Sequence, residues 1–196
     1  MLKNITHGYG QKNILQDINI TINRSDRLAL VGVNGDGKST LSRIISGIES
    51  PDKGGVNWGS NVKISYFSQE SALNLNYQHS VWEEIDKNGK KLNDQEKRNL
   101  LGSFLFTGED IYKPVYQLSG GEKSRLALAK LLLEESNLLI LDEPGNHLDF
   151  NTKEIFYNAL KQYKGTIVIV SHDRFFLDQL VNRVIEIKDG KIYSYP

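Results

Sequence analysis

Apolar residues in this chain form continuous runs in some places and alternate with polar residues in others. The run at 27–31 has the character of a buried strand, and those at 138–141 and 167–170 are typical of parallel strands covered on both faces. Alternation over 18–22 and 62–66 predicts half-buried strands. The chain is therefore expected to contain a buried sheet with β-rich flanks.

Helical signals lie between these strands. Apolar residues recur at helical spacing over 41–48, and 124–135 is rich in Leu, Ala, Lys and Glu, which favour helix. The stretch 70–115 is polar and helix-prone, with an exposed turn expected at 87–91. Asp189-Gly190 separates two apolar segments and predicts a two-residue hairpin turn. This order of elements predicts an α/β layer fold.

Composition narrows the class of protein. The 196 residues suffice for one domain with a sizeable core. Lysine plus arginine balances aspartate plus glutamate at 24 each, which argues against attraction to nucleic acid through net charge. The chain has no cysteine, so disulfides and thiolate metal sites are excluded. No apolar run could span a bilayer and the N-terminus does not resemble a signal peptide, so we expect a cytoplasmic protein without membrane insertion.

The segment 32–40, GVNGDGKST, matches the phosphate-binding pattern G-x-x-x-x-G-K-[ST] between a predicted strand and a predicted helix. Glycines let backbone N–H groups close around phosphates, and the helix N-terminus adds a favourable dipole. Lys38 would reach the β- and γ-phosphates and Ser39 would supply a hydroxyl to Mg²⁺. The alternative is a glycine-rich turn that binds nothing. The candidate ligand-binding residues are Gly32, Asn34, Gly35, Gly37, Lys38, Ser39 and Thr40.

Asp142 and Glu143 end the apolar run at 138–141, which places both carboxylates at the C-terminal edge of a buried strand. Ligands bind at that edge in open α/β sheets. Asp142 would hold Mg²⁺, and Glu143 could polarise an attacking water as a general base. A solvated acidic turn is the alternative, and the phosphate loop upstream argues against it.

Further segments resemble the motif set of ATP-binding cassette (ABC) ATPases, in the family's order and over essentially the whole chain. Leu118-Ser119-Gly120-Gly121-Glu122 is similar to the family signature, and Asn146-His147-Leu148-Asp149 to its D-loop. Gln69 resembles the Q-loop glutamine, His172 the switch histidine, and Tyr9 the aromatic residue placed against adenine.

The resemblance implies a phosphate-loop NTPase fold of the ABC type. Its core sheet would be mostly parallel, with an antiparallel β subdomain and a helical subdomain over roughly 71–135. It implies ATP and Mg²⁺ as cofactors and Mg²⁺-dependent hydrolysis to ADP and phosphate. The expected catalytic residues are Glu143, His172 and Gln69, and the expected metal ligands are Ser39, Gln69 and Asp142. Nucleotide contacts would come from the phosphate loop, from Tyr9, and from Ser119, Gly120 and Gly121.

Some of these segments also have structural interpretations. Ser119 and Glu122 fit a capping box, so the signature would be a helix start as well as a phosphate contact. His172 could be a turn histidine and Gln69 a solvated strand end. Tyr9 could belong to an exposed turn, although its ring suits stacking on a base.

The family places the signature helix across a dimer interface. The resemblance therefore implies a head-to-tail pair of cassettes, in the same chain or in a homodimer, with ATP between one phosphate loop and the other's Ser119 and Gly121. A chain with one of each would not complete a site alone.

Local sequence motifs resemble those of the ABC-F branch of the family. Its members are twin-cassette ATPases that act on ribosomes, some of them in antibiotic resistance. Phe104-Leu105-Phe106-Thr107-Gly108-Glu109 is similar to their second cassette, so we expect one domain over 1–196 that is half of a longer protein. Ribosomal or rRNA contacts would come from regions outside it. A transporter's ATP-binding subunit and a weakly hydrolysing scaffold are the alternatives.

Two positions depart from the family's usual pattern. Gly145 stands where threonine is usual, which could loosen the loop after Glu143. Asp36 occupies a phosphate-loop position that is usually small and uncharged, so we expect its carboxylate to point away from the triphosphate.

Lys38 provides the first test. We expect Lys38→Ala to abolish nucleotide binding, because the substitution removes the charge assigned to the β- and γ-phosphates. Titration with ATP measures this directly. Unchanged binding would contradict the phosphate-loop assignment.

Overall fold

Continuous apolar runs become the central strands of a mostly parallel sheet in the computed structural model, which describes residues 1–87, 92–146 and 148–195. The strands are β1 (Leu2–Tyr9), β2 (Lys12–Ile20), β3 (Arg27–Val31), β4 (Lys53–Val56), β5 (Ile64–Phe67), β6 (Leu138–Asp142), β7 (Thr166–Val170), β8 (Arg183–Lys188) and β9 (Lys191–Tyr195). The helices are α1 (Lys38–Ser46), α2 (Val81–Asp86), α3 (Asp94–Ser103), α4 (Gly120–Leu131), α5 (Phe150–Gln162) and α6 (Arg174–Leu180). Short 3-10 segments cover Gln69–Asn74, Gly108–Tyr112 and Val115–Gln117.

The larger sheet has the strand order β5-β6-β7-β3-β8-β9. The pairs β6/β7, β7/β3 and β3/β8 are parallel, and β8/β9 is an antiparallel hairpin. Every residue of β6 and β7 is buried, as a parallel strand covered on both faces requires. The second sheet, β2-β1-β4, is antiparallel. The predicted combination of a mostly parallel core sheet and an antiparallel β sheet is confirmed.

The chain divides into two units. The first comprises Met1–Tyr66, Ser136–Pro144 and Lys164–Pro196, and it contains both sheets except for Phe67 of β5, together with α1 and α6. Its core is formed by apolar residues of the strands and of α1, including Ile5, Leu30, Leu41, Ile140 and Val168.

The second unit comprises Phe67–Glu135 and Gly145–Tyr163. It carries α2 to α5, and its buried residues include Phe104, Phe106 and Phe156. Its bounds begin before the 71–135 expected for a helical subdomain, and they add α5, for which the sequence reading had no prediction. The turn expected at 87–91 lies outside the described residues after Lys87.

Several local predictions hold. Asp189 and Gly190 both have positive φ, 52° and 72°, as a two-residue hairpin turn requires. Helix α1 ends at Ser46 because Gly47 (φ 79°) caps it in the left-handed conformation.

Helix α4 differs from the predicted 124–135. It begins at Gly120, after the Ser119 cap, and ends before Glu134 and Glu135, whose carboxylates are unfavourable at a helix C-terminus.

The alternation predicted over 62–66 is only partly right. Val62 is exposed and precedes β5, whereas Ser65 and Phe67 are buried. Ile64 and Tyr66, on the other face, also pack against the core. The strand is therefore covered on both faces, so its pattern of residue types does not mark a solvent-facing side.

No helix within the described ranges is both long and apolar enough to cross a membrane.

The pairing of β1 with β4 generates a stability prediction. Gly54 has φ 83°, and a Cβ there would overlap the carbonyl oxygens of Lys3 and Asn4, while Gly55 has open space. We expect Gly54→Ala to lower the free energy of unfolding by about 2–4 kcal/mol, through left-handed strain and displacement of β1. The matched control Gly55→Ala should stay within about 1 kcal/mol of wild type. Chemical denaturation measures both, and equal midpoints would contradict this account.

Candidate nucleotide-binding and catalytic site

The phosphate loop connects β3 to α1, and two of its glycines are required by close approaches. A Cβ on Gly32 (φ 145°) would overlap the carbonyl oxygen of Ile187 in β8. A Cβ on Gly37 (φ 98°) would press against the side chain of Ile14, and Gly37 is also the N-cap of α1. Only glycine adopts these conformations at little cost. The loop therefore packs closely against β8 at Gly32 and against β2 at Gly37, and these contacts fix its position.

Lys38 begins α1 and folds back over the loop. Its buried ammonium donates hydrogen bonds to the carbonyl oxygens of Gly32 (2.9 Å) and Val33 (3.0 Å). Thr40, the third residue of α1, is buried, whereas Asn34 and Gly35 are exposed in the loop. The charge of Lys38 therefore lies against the loop, where an anion bound to the backbone N–H groups would meet it.

Asp142 ends β6, and three hydroxyl groups lie within hydrogen-bond distance of its carboxylate. Ser39 Oγ donates to Oδ1 at 3.1 Å and Tyr66 OH donates to Oδ2 at 3.3 Å. Ser42 Oγ lies 3.4 Å from Oδ2 and shares its hydrogen with the Ser39 carbonyl oxygen, which is closer at 2.9 Å. Burial and the charge of Asp142 raise the pKa of Tyr66, which keeps the phenol protonated as a donor. The structure thus brings together Ser39 and Asp142, two of the three expected metal ligands.

Sequence reasoning did not identify Ser42 and Tyr66 as supports of Asp142. Ser42 lies three residues after Ser39, so both hydroxyls face the same side of α1. That spacing was available in the sequence. The contact of Tyr66 depends on the order of strands, which the sequence does not display.

Glu143 follows β6 with a positive φ of 51°, a strained conformation for a residue with a side chain. Its N–H donates to the Val170 carbonyl oxygen at 2.8 Å, which holds the turn against β7. Its Oε1 lies 3.5 Å from Nε2 of His172. Burial, reinforced by Asp142, raises the pKa of Glu143, while the neighbouring His172 opposes that shift. A carboxylate with a raised pKa is a better general base than a solvated one.

Tyr9 ends β1 and its hydroxyl is fully engaged. It donates to Glu49 Oε1 at 2.5 Å and accepts from Arg43 Nη2 at 2.9 Å, and it lies 3.4 Å from Thr40 Oγ1. Arg43 Nε also donates to Glu49 Oε2 at 2.8 Å. His7 Nε2 lies 2.8 Å from Glu49 Oε1. The Tyr9 ring, predicted to stack on a base, is therefore tethered to α1 and to the residues that follow it.

The ionisation of this network follows from its contacts. Burial alone would raise the pKa of Glu49, but hydrogen bonds from Tyr9 and Arg43 outweigh it and leave that pKa below its usual value. Burial would likewise lower the pKa of Arg43, and the hydrogen bonds to Glu49 and Tyr9 raise it instead. Both groups are therefore charged at neutral pH and neutralise each other.

The remaining predicted site residues lie in the second unit. Gln69 begins the 3-10 segment Gln69–Asn74. Ser119 caps α4, with Glu122 N–H donating to Ser119 Oγ at 3.3 Å and Ser119 N–H donating to Glu122 Oε2 at 2.8 Å. The Ser119 hydroxyl also donates to Glu122 Oε2 at 2.6 Å, and this bond, with the one from the Ser119 N–H, lowers the pKa of the Glu122 carboxyl. The predicted capping box is present, and Gly120 and Gly121 form the first residues of α4.

The segment after Glu143 is described except for His147. Gly145 is buried, Asn146 is exposed, and Asp149 caps α5 by accepting from Thr152 N–H at 3.0 Å and Thr152 Oγ1 at 2.7 Å. These bonds lower the pKa of Asp149. The predicted D-loop residue Asp149 is thus also the start of a helix, a D-x-x-T signal that sequence reasoning missed. The expectation that Asp36 points outward stays a prediction.

The glycine loop joins the parallel strand β3 to helix α1. The Ser39 hydroxyl on that helix is paired with the Asp142 carboxylate at the end of β6, which lies on the other side of β7. This arrangement defines a phosphate-loop nucleotide-binding domain. The sequence profile of the ABC transporter family matches residues 15–146. The chain belongs to that family and is one of its ATPase cassettes.

Relatives include ABC-F proteins, as predicted. The chain is 42% identical over 195 residues to ABC transporter F family member 5 of Arabidopsis thaliana, covering 99% of this chain and 28% of that protein. It is 38% identical over 196 residues to the energy-dependent translational throttle protein EttA of Escherichia coli K12, covering 97% of this chain and 35% of EttA. The chain therefore spans about a third of the length of these relatives.

Among solved structures, the fold is similar to the ATP-binding cassette MJ0796 in a dimeric post-hydrolysis state bound to ADP and Pi. The TM-score is 0.78 and the identity 25%, covering 99% of this chain and 97% of that one.

The charge of Glu49 predicts a pH-dependent stability. Its pKa in the folded state lies below the ordinary value of 4.5, so its ionised form stabilises the fold above that pH. This contribution is lost as the pH falls through the folded-state pKa. We expect Glu49→Gln to cost about 1–2 kcal/mol at pH 7, through weakened charge-assisted hydrogen bonds, and progressively less at acidic pH. Denaturation at several pH values measures the difference, with Glu154→Gln, at an exposed position of α5, as the control. A cost independent of pH would contradict it.

Proposed function

We propose that this cassette binds Mg²⁺-ATP at the phosphate loop and hydrolyses it, with Glu143 as the general base. The observation that carries the proposal is the pairing of Ser39 with Asp142 at 3.1 Å, beside the Glu143–His172 pair at 3.5 Å. A hydroxyl and a carboxylate for the metal and a base for water thus lie at the same edge of the parallel sheet. Lys38 supplies the positive charge for the β- and γ-phosphates.

The residues present fit a magnesium ion. Mg²⁺ prefers hard oxygen ligands and usually takes one or two protein oxygens, with phosphate oxygens and water completing its shell. Ser39 Oγ and Asp142 Oδ1 would hold it, and the second oxygen of Asp142 is already restrained by Tyr66 and Ser42. Gln69 is assigned as a further ligand through the family resemblance. When bound, the ion neutralises charge that develops on the phosphate oxygens.

The protein groups then have distinct parts in the reaction. Glu143 accepts a proton from the attacking water as the water oxygen bonds to the γ-phosphorus. The bond from that phosphorus to the β–γ bridging oxygen breaks, which yields ADP and phosphate. Burial around Glu143 raises its pKa and so its basicity. His172, within 3.5 Å of that carboxylate, is suited to orienting it and to contacting the γ-phosphate.

A second cassette is the proposed partner. Helix α4 begins with Gly120 and Gly121 after the Ser119 cap, Gly120 is exposed, and a Cβ on Gly120 would meet open space. Such a helix start is suited to a phosphate group. The dimeric state of the similar cassette MJ0796 supports the proposal that Ser119, Gly120 and Gly121 contact ATP held by a partner cassette.

The ribosome is the proposed target of the whole protein. The support is the similarity to EttA, a protein named as a translational throttle, and to an ABC-F family member. A ribosomal target also implies that the protein acts in the cytoplasm. Protection of ribosomes from an antibiotic is one form that this action could take.

Glu143→Gln tests the catalytic assignment. We expect hydrolysis to fall by on the order of 100-fold or more, since the base is removed, while ATP binding is retained. In Mg²⁺-ATP the variant should accumulate as an ATP-bound dimer, measured by light scattering. Glu154→Gln should match wild type. Undiminished turnover would refute the role of Glu143, and a variant that binds ATP but stays monomeric would refute self-pairing.

A test of ribosome binding requires the full-length protein, expressed from its native reading frame. Carrying Glu143→Gln, the full-length protein should co-sediment with ribosomes in Mg²⁺-ATP and not in ADP, because the trapped state cannot reset. Co-fractionation with membranes and an absence from ribosome pellets would contradict it. Drug susceptibility of cells with and without the protein separates antibiotic protection from other ribosomal action.

A further inference from the structure

We propose that Arg43 and Glu49 are positioning residues that hold the Tyr9 ring ready for the nucleotide base, and that they act on nucleotide affinity rather than on turnover. This inference rests on the proposed ATP-binding function and concerns the group formed by His7, Tyr9, Arg43 and Glu49, here called the tyrosine clamp. None of these residues except Tyr9 belongs to the motif set that identified the family.

The first observation is that both hydrogen-bonding capacities of the phenol are used. Tyr9 OH donates to Glu49 at 2.5 Å and accepts from Arg43 at 2.9 Å. The two partners are themselves joined, Arg43 Nε to Glu49 Oε2, at 2.8 Å. A phenol engaged from two sides cannot swing away unless both bonds break, so the ring has one favoured orientation.

The second observation is that the ring remains accessible although its tip is fixed. Tyr9 is 48% exposed. His7 packs its ring edge-on at 5.0 Å between centroids, with an interplanar angle of 89°. A fixed tip and an exposed body describe a platform suited to stacking against a flat, aromatic group.

The third observation concerns which elements the clamp joins. Tyr9 ends β1, whereas Arg43 lies on α1, the helix that begins with Lys38. Tyr9 OH also lies 3.4 Å from Thr40 Oγ1 in the first turn of that helix. The clamp therefore fixes the distance between the ring and the phosphate loop. A nucleotide whose base and phosphates are both engaged needs that distance to be set, and setting it beforehand lowers the entropic cost of binding.

The strand end that carries Tyr9 is restrained as well. Gly8 N–H donates to Asp52 Oδ2 at 2.9 Å, and His7 Nε2 lies 2.8 Å from Glu49 Oε1. Asp52 and Glu49 follow α1 in the chain. Two carboxylates from this short segment thus hold consecutive residues of β1, which keeps the backbone under Tyr9 in place.

The experiment compares ATP with inorganic tripolyphosphate, which has the phosphates and no base. Tyr9→Phe keeps the ring and removes only the hydroxyl that the clamp holds. We expect it to weaken ATP binding by on the order of fivefold to tenfold, with tripolyphosphate binding unchanged. Glu49→Gln and Arg43→Gln should act in the same direction. The double variant Tyr9→Phe/Glu49→Gln should lose little more than the larger single effect, because one interaction is removed twice.

Turnover and conservative substitution provide the second readout. The KM for ATP should rise in each variant, while kcat at saturating ATP changes little. Arg43→Lys should bind ATP more tightly than Arg43→Gln, because it keeps the positive charge. Lys97→Met is the matched control, since Lys97 forms an ion pair with Asp86 at 2.5 Å in the second unit. It should leave both affinities unchanged. Thermal melts establish that each variant is folded before binding is measured.

Three outcomes would overturn the clamp. ATP affinity in Tyr9→Phe equal to wild type would mean that the ring needs no positioning. Parallel losses for ATP and tripolyphosphate would mean that Arg43 and Glu49 only stabilise α1. A fall in kcat without a change in KM would place them in the chemical step. Failure of the proposed function is recognised separately, because wild-type protein would then bind neither ligand.

Discussion

The parallel pairing of β3 and β6 on the two sides of β7 is the constraint on which the site depends. Leu30 of β3 and Asp142 of β6 both pair with Val170, so they occupy one lateral row across the sheet. Parallel strands end at the same edge, and the phosphate loop and the carboxylates therefore emerge side by side. The N–H of Glu143 completes this row by donating to the Val170 carbonyl oxygen.

Function and stability are in tension at this edge. Glu143 has a left-handed backbone and a carboxylate whose pKa is raised by burial, both of which cost free energy in the folded state. The fully buried strands β6 and β7 hold the turn in this arrangement. The oxygens of Asp142 are surrounded by the hydroxyl groups of Ser39, Ser42 and Tyr66, which restrain that carboxylate. The neighbouring Glu143, whose pKa burial raises, is a stronger base than a solvated glutamate.

The antiparallel sheet contributes in a different way. Strand β1 ends in Tyr9, whose hydroxyl is bound by charged groups on and just after α1. The same helix begins with Lys38 and carries Ser39 and Ser42. Helix α1 therefore relates the aromatic ring, the phosphate loop and the Asp142 carboxylate within the first unit. At its N-terminal end, Ser39 contacts the charged Asp142 carboxylate, and its apolar residues Leu41, Ile44 and Ile45 join the core.

The sequence by itself determined the strands β3, β6 and β7, the phosphate loop, the β8–β9 turn and the Ser119 capping box. These depend on continuous apolar runs and on residue types at fixed short spacing. Tertiary structure alone decided that Tyr66 supports Asp142, that Arg43 and Glu49 hold Tyr9, and that Gly32 must admit a carbonyl oxygen of β8. Those contacts join residues far apart in the chain, and strand order and register, which local pattern does not encode, bring them together.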